Sequence, residues 1–519
     1  MIIDTRDQRR ALSATSRLSL AHVVSIYDDA HPWKELGEED DAKGLIFGRS
    51  KTELKKYNAE DCVRDARIYH AMVKEPDWDT PRVQRLYKIH TQLSVIAAKM
   101  HRTGVFVNQR ARRFLKYILG QEIGERTATF CATAGVEKAT PHVLRARLFA
   151  RHKKQGIPCF DLPDPLNPKL YTDESMRTVS VDEGALLLML ASGDIPLEAV
   201  PTLDAWWAVQ QAKKRMGTVA SEQIDRAIGP DGRLHAGWNS CGTETMRWAC
   251  SEPNMMNLEQ PLRAMFGADK NRVLVHMDKS QLELRVMEIV TGDEVLNAVF
   301  MSGGDLYTED AKAYFDLPPT VTKKTVKPEA RKASKIIRLA SQYMAGLNAV
   351  YMQALMQDRS IKFDLVKTLH QKFHERHKDG LMAWARREHG AVLATGYSAG
   401  RILDGRRYYP EPPPITETAN FPIQRTAGEM MNLEIIELDK RLSEFKPYTV
   451  SVKGKPARRV MPPEAVVQLH DAFDVDSDRR DEDKVRKVLS EVSDREYTIE
   501  GRTRRFPIEL KSSRDWSDL

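Results

Sequence analysis

Between Val273 and Val290 the hydrophobic pattern changes period. VLVHMD is a short apolar run with β-branched residues, and LELRVMEIV continues with apolar positions at helical spacing. The pattern predicts a strand delivering Asp278 at its end, followed by a helix that begins with Gln281, Glu283 and Arg285. A strand end fixes a carboxylate, and the helix fixes its neighbours beside a polar substrate. Taken alone, Asp278 reads equally well as an exposed turn residue.

The same periodicities organise the rest of the chain. RVQRLYKIHTQLSVIAAKMHRTGV reads as a long amphipathic helix stopped by Gly104, and LDAWWAVQQAKKRMGTVASEQID as another, so residues 83–230 are expected to be mostly helical. IPCFDLPDPLNPKLYTDE between them is rich in Pro and Asp and reads as a surface loop. GPDGRLHAGWN reads as a turn entering a strand, helices dominate from 297 to about 410, and EPPPITE marks a boundary. VVQLHDAFDVD predicts two short strands joined by a tight turn with His470 and Asp471 at its tip. Residues 1–82 read as mixed short strands and helices, with KYNAEDCVRDARIYHAMVKE helical. HQKFHERH places His370, His374 and His377 on one side of what reads as a solvated basic helix, and DEDKVRKVLSEVSDRE reads as a charged helix face. GLIFGRSKT lacks the spacing of a phosphate loop.

Composition narrows the class. The 519 residues are 41% hydrophobic and 29% charged, which suits an ordinary globular protein of several domains. No apolar run approaches the ~18–20 residues of a membrane span, and MIIDTRDQRRAL lacks a signal core, so no membrane partner and a cytoplasmic location are expected. Five cysteines without a C-x-x-C pair argue against structural zinc. A net charge of +7 is compatible with a nucleic-acid partner.

Asp471 can join Asp278 only through the fold, as a hairpin tip beside a strand end. Two such aspartates can hold two divalent ions about 3.5–4 Å apart for in-line phosphoryl transfer, and magnesium suits carboxylate, water and phosphate oxygens. In RKASKIIRLASQYMAG, Arg331, Lys335, Leu339 and Tyr343 are spaced by four and form one helical stripe. Two cations, an apolar residue and an aromatic in a row can read a triphosphate and then a sugar and base. The stripe is equally an ordinary basic amphipathic face.

Five segments together resemble the DNA polymerase I-like, or family A, DNA polymerases. DKSQLELR resembles the first palm motif D-Y-S-Q-I-E-L-R, RKASKIIRLASQY the fingers-helix motif R-x-x-x-K-x-x-x-F/Y-x-x-x-Y, and LHDAF the H-D-E motif. TMRWACSEPNMMNL is similar to T-G-R-L-S-S-x-x-P-N-L-Q-N-I, and NFPIQRTAGEMM to N-x-P-I-Q-G-T-A-A-D. The resemblance spans roughly residues 83–519 and implies an α+β right-hand fold: an antiparallel palm sheet with helical fingers and thumb. The expected regions are an incomplete 3′–5′ exonuclease-like part (1–82), thumb and connecting helices (83–230), first palm part (231–296), fingers (297–414) and second palm part (415–519).

Family roles then transfer by position. Asp278 and Asp471 would be catalytic and hold two magnesium ions, with manganese as a substitute; Lys335 would protonate the leaving pyrophosphate. Gln281, Glu283, Arg331, Lys335, Leu339 and Tyr343 would bind the deoxynucleoside triphosphate, Glu283 as a steric gate against a 2′-hydroxyl. Arg247, Asn254, Asn257, Asn420, Gln424 and His470 would touch primer–template DNA near its end, and Lys213, Lys214 and Arg215 its duplex phosphates. Several residues depart from the pattern: Ala472 for Glu, Leu339 for the stacking aromatic, Arg338 for Asn, Ala340 for Gly and Lys279 for the first-motif aromatic. These put efficiency and fidelity in question rather than the reaction class.

At the front, Tyr57 and Asp61 resemble the last motif of a ribonuclease H-like proofreading exonuclease, without the earlier D-x-E strand and N-x-x-x-D helix. Synthesis without proofreading is expected, with a separate exonuclease or processivity chain as a possible partner. The compact form resembles a bacteriophage or prophage enzyme, which would act in the host cytoplasm. Two alternatives stay open: a catalytically weakened DNA-binding derivative, favoured by Ala472 and Leu339, and a single-subunit RNA polymerase, opposed by Glu283.

Overall fold

The strand begun by VLVHMD runs from Arg272 to Lys279 inside a four-stranded antiparallel sheet. The computed structural model describes residues 5–12, 51–172, 175–451 and 457–519. Across the sheet the order is Glu464–Leu469, Ala472–Asp478, Arg272–Lys279, Ile508–Ser513. Strand pleating sends alternate residues to opposite faces. Val273, Val275 and Met277 bury one face together with Phe473 and Val475. The helix Glu482–Ser493 packs on the sheet, and Ile415–Leu442 packs against that helix and against Leu282–Thr291.

The opposite face carries buried carboxylates, each with partners. Asp474 is joined to His276 at 2.8 Å and accepts from the Trp516 indole at 3.0 Å. Asp476 accepts from Arg272 at 2.7 Å and from Arg233 at 2.5 Å. Such pairing is what permits charge at this depth.

Lys279 falls on the apolar face by the same alternation. Its fully buried ammonium lies 3.0 Å from Glu434 and donates to the Ser493 carbonyl at 2.6 Å. The Tyr497 hydroxyl donates to the same Glu434 carboxylate at 2.6 Å. The lysine that replaces an aromatic in the first motif therefore points away from Asp278, into an ion pair beneath the sheet.

The helical expectations hold for the central part of the chain. Pro81–Thr103 is capped by Thr80 and ends at Gly104, whose φ of 63° and closeness to the Leu234 carbonyl (2.8 Å from an added Cβ) require glycine. Gln109–Ala134 packs along Val200–Val219, with Phe130 against Trp206 at 5.5 Å between rings. The Pro/Asp-rich stretch is irregular apart from one short 3-10 turn, Pro168–Leu170.

The helices Leu306–Tyr314, Pro328–Ser341, Phe363–Arg376 and Leu381–Thr395 enclose charge as well as apolar side chains. Arg338, fully buried, donates to Asp310 at 2.5 and 2.7 Å and meets His377 at 2.7 Å. His377 reaches Asp293 at 2.8 Å, and Asp293 also accepts the Leu381 N–H at 2.9 Å. His370 contacts the Ser341 hydroxyl at 3.0 Å. The solvated basic face expected for HQKFHERH is thus corrected: His377 turns inward to a buried acid and His370 to a hydroxyl, and His374 packs between them with its Nε2 buried. Arg338 likewise serves the interior of these helices.

Ahead of residue 81 the described elements are the helices Thr5–Leu12 and Lys51–Met72. Tyr57 and Asp61 lie one turn apart on the second, but their side chains fall outside the described residues, as do residues 13–50 with GLIFGRS. None of the five cysteines is in a disulfide. Among the described residues no helix is long and apolar enough to cross a membrane.

Two outcomes follow from the buried charges. Glu434→Ala leaves the Lys279 ammonium buried and unpaired, so the unfolding free energy in urea should fall by about 3–5 kcal/mol, whereas Lys279→Met with Glu434→Leu should cost clearly less than Glu434→Ala alone. The second concerns pH. Burial, then the charge of His374, lowers the His370 pKa to about 4, and burial likewise lowers His374 and His377. The unfolded chain takes up these protons near the ordinary histidine value of about 6.5 while the folded chain resists them. The histidine contribution to stability is therefore full above that value and is lost as pH drops below it, lowering the urea midpoint at about pH 5 relative to about pH 7 by its share. His370→Gln should reduce the difference.

Candidate active site

The strand end and the hairpin tip meet. Lys279 N–H donates to the Asp471 carbonyl at 3.0 Å, and Ala472 pairs in register with Asp278. The two-residue turn holds His470 at φ 48°, and Gln468 closes it with a 2.8 Å bond to the His470 carbonyl. Burial, followed by the charge of Asp471, pushes the Asp278 pKa up to about 6. Burial leads the causes that raise Asp471 as well. Neither carboxylate has an ion-pair partner among the described residues. Two neighbouring acids with no salt bridge to a cation favour a proton or a metal, and their hard oxygen donors fit a divalent ion of the magnesium type. Among the described residues no three His, Cys, Asp or Glu side chains stand ready to enclose a metal.

Glu283 opens the helix Leu282–Thr291, preceded by Gln281 at φ 54°. Its two carboxylate oxygens are taken separately, one by Arg247 and one by the Tyr343 hydroxyl. Tyr343 is also hydrogen-bonded to Gln424, and burial, then Glu283, raises its pKa well above the ordinary tyrosine value. The Trp248 indole donates to Asn432 at 2.7 Å, and Asn432 donates to the Met246 carbonyl at 2.9 Å. A cavity of about 300 Å³ is lined by Arg247, Trp248, Glu283, Gln468, His470 and Asp471, among others.

The long helix Ile415–Leu442 supplies one wall. Asn420, Gln424, Gly428 and Asn432 recur every four residues along it and share a stripe. Asn420 Oδ1 is buried without a hydrogen-bond partner. A Cβ at Gly428 would lie 2.4 Å from the Thr245 carbonyl, so the helix touches the Arg247 segment backbone to backbone.

Arg331, Lys335 and Leu339 lie on the helix Pro328–Ser341, and Tyr343 lies just beyond its end. Arg331 forms a bidentate clamp on Asp305, at 2.9 and 2.8 Å, a partner the four-residue stripe does not reveal. Arg331 and Lys335 both stand over the Tyr307 ring, at 5.4 and 5.7 Å. Leu339 is 37% exposed.

The remaining candidates are not among the cavity residues. Lys213 and Lys214 are exposed on Val200–Val219, whereas Arg215 is bound to Glu259 at 2.6 Å and reaches Glu122 at 3.6 Å. Asn254 accepts the Met256 N–H at 3.0 Å, and Asn257 is exposed. Sequence reasoning missed Trp248, Gln468 and Asn432; only Asn432 had a signal, as a later member, two steps of four beyond Gln424, of the Asn420–Gln424 stripe.

The backbone contact at Gly428 gives a direct test. Gly428→Ala must push the helix off the Arg247 segment, and should lower the thermal midpoint by an amount equivalent to about 1–3 kcal/mol. It should also change the fluorescence of the region around Trp248, which the same helix holds through Asn432.

Comparison with known proteins adds sequence and fold evidence. The family described as DNA polymerase family A matches residues 170–518. The thermostable DNA polymerase I of Thermus aquaticus is 26% identical over 436 residues, covering 80% of this chain and 47% of the relative. DNA polymerase I of Chloroflexus aurantiacus is 24% identical over 409 residues, covering 75% and 40%. The chain thus spans about half the length of the curated relatives it matches. A solved structure described as the POL domain of Pol1 from M. smegmatis in complex with DNA primer-template and dNTP is similar with a TM-score of 0.71 at 18% identity, covering 99% of this chain and 82% of that one.

Proposed function

The chain belongs to DNA polymerase family A, and we propose that it extends a primer on a DNA template. A primer 3′-hydroxyl attacks the α-phosphate of a deoxynucleoside triphosphate, and pyrophosphate leaves. The observation that carries this reading is the Asp278–Asp471 pair, held together without a salt bridge, beside the braced Glu283. The primer–template and dNTP of the structurally similar polymerase domain are consistent with it.

Asp278 and Asp471 would hold two divalent ions, magnesium or in its place manganese, whose chemistry is to lower the pKa of the attacking hydroxyl and to neutralise the leaving group. Glu283, fixed by Arg247 and Tyr343, forms a wall that a 2′-hydroxyl strikes. Arg331 and Lys335 take the triphosphate; to do so Arg331 exchanges Asp305 for phosphate, one bidentate anion for another. Lys335 supplies a proton to pyrophosphate, Gln281 and Leu339 border the sugar and base, and Tyr343 closes the site. Arg247, Asn254, Asn257, Asn420, Gln424 and His470 contact the primer–template end, with Lys213, Lys214 and Arg215 on the duplex phosphates. The reading covers synthesis alone, since the side chains of Tyr57 and Asp61 lie outside the described residues.

Primer extension with magnesium tests it. The chain should extend with dNTPs far better than with NTPs, and Asp278→Asn should reduce extension by roughly 10³-fold or more while DNA binding persists, since about 4 kcal/mol of transition-state stabilisation is removed. Preference for NTPs, or DNA binding by the unaltered chain with no extension, overturns the reading.

A further inference from the structure

We propose that Arg359 is a latch that closes the space over bound DNA, so that a primer–template enters and leaves only when it opens. The inference rests on the DNA-binding part of the reading above. Helices are anchored beside the sheet in two groups. Gln109–Ala134 packs on the segment Gln260–Met265, which leads into the strand Arg272–Lys279, and Val200–Val219 with Lys213 and Lys214 lies along it. Glu294–Met301 and Leu381–Thr395 pack on Leu282–Thr291, and Pro328–Ser341 with Arg331 and Lys335 belongs to that second group. A primer–template that touches Lys213 and Lys214 and meets a nucleotide held by Arg331 and Lys335 passes between the groups.

The groups also meet away from the sheet. Glu183–Ser192 packs against Leu347–Gln357. Just past the end of the latter helix, the Arg359 guanidinium lies 4.0 Å from the centre of the Trp207 ring, 3.2 Å from Asp204 and 3.5 Å from Glu183. Its neighbour Asp358 pairs at 3.4 Å with Lys332, on the helix of Arg331 and Lys335. The bridge therefore joins the helix of Lys213 to the helix of Lys335, and together with the sheet it closes a circuit around the space between them. Its polar contacts suit a latch better than a fixed joint. Asp204 and Glu183 are each half exposed (51%), and exposed ion pairs contribute little. The stacked guanidinium adds a modest attraction that depends on its position over the ring. When the helices part, both acids and Arg359 meet water, so opening strands no charge.

The rates at which the full chain binds and releases a fluorescent primer–template, followed by stopped-flow anisotropy without nucleotide, test this apart from turnover. A latch obstructs passage in both directions. Arg359→Gln should therefore raise association and release together, each about fivefold, with Kd changed less than about twofold. Glu183→Gln combined with Asp204→Asn unfastens the latch from the other side and should accelerate both rates in the same way. These two variants change the net charge in opposite directions, so electrostatic steering alone would move their association rates apart. Arg359→Lys keeps the charge and should return both rates toward wild type. Circular dichroism confirms the fold of each variant. Faster release with unaltered association in Arg359→Gln marks a lost DNA contact and overturns the latch. So do wild-type rates in both variants, or association rates that move in opposite directions. Failure of the unaltered chain to bind primer–template overturns the DNA-binding reading as well.

Discussion

The register of the strand Arg272–Lys279 is the constraint on which the site depends. A one-residue slip exchanges every side chain between the two faces of a sheet. Here such a slip would put Asp278 into the apolar layer with Phe473 and Val475, and would lift Lys279 out of its bond to Glu434. The apolar residues Val273, Val275 and Met277 oppose it, and so do the paired carboxylates Asp474 and Asp476 on the other face. The position of one acid is thus secured by several residues that touch no substrate.

A second device works at a distance from the sheet. The chain Asp293–His377–Arg338–Asp310 links the turn after the helix Leu282–Thr291 to the helix bearing Arg331 and Lys335. Glu283 lies at the opening of that first helix. Both helices therefore meet a single buried polar path, and each group on it has a partner whose loss would leave charge in a low-dielectric interior. This path fixes the register of the Arg331 helix more firmly than its apolar residues alone could.

Local patterns carried much of the fold. The change of period after Asp278, the stop at Gly104 and the hairpin at His470–Asp471 all appear where alternation and turn chemistry indicate them. The family resemblance, with its five ordered motifs, agrees with the family match over residues 170–518. What sequence could not carry was direction. The helical spacing of His370, His374 and His377 is the same whether the stripe meets water or Asp293, and only the packing of other helices decides. Arg331 and Asp305 are likewise brought together only by helix packing.

The buried Lys279–Glu434 pair also bears on how such sequences change over time. An aromatic at the first position and a lysine salt-bridged to a glutamate at the other are both self-consistent interiors. The two single exchanges are not alike: losing Glu434 strands the Lys279 ammonium among apolar side chains, whereas losing Lys279 leaves Glu434 with the Tyr497 hydroxyl and, at 3.8 Å, Arg495. The glutamate can therefore precede the lysine in the history of such a sequence, but the lysine cannot precede the glutamate without burying an unpaired charge.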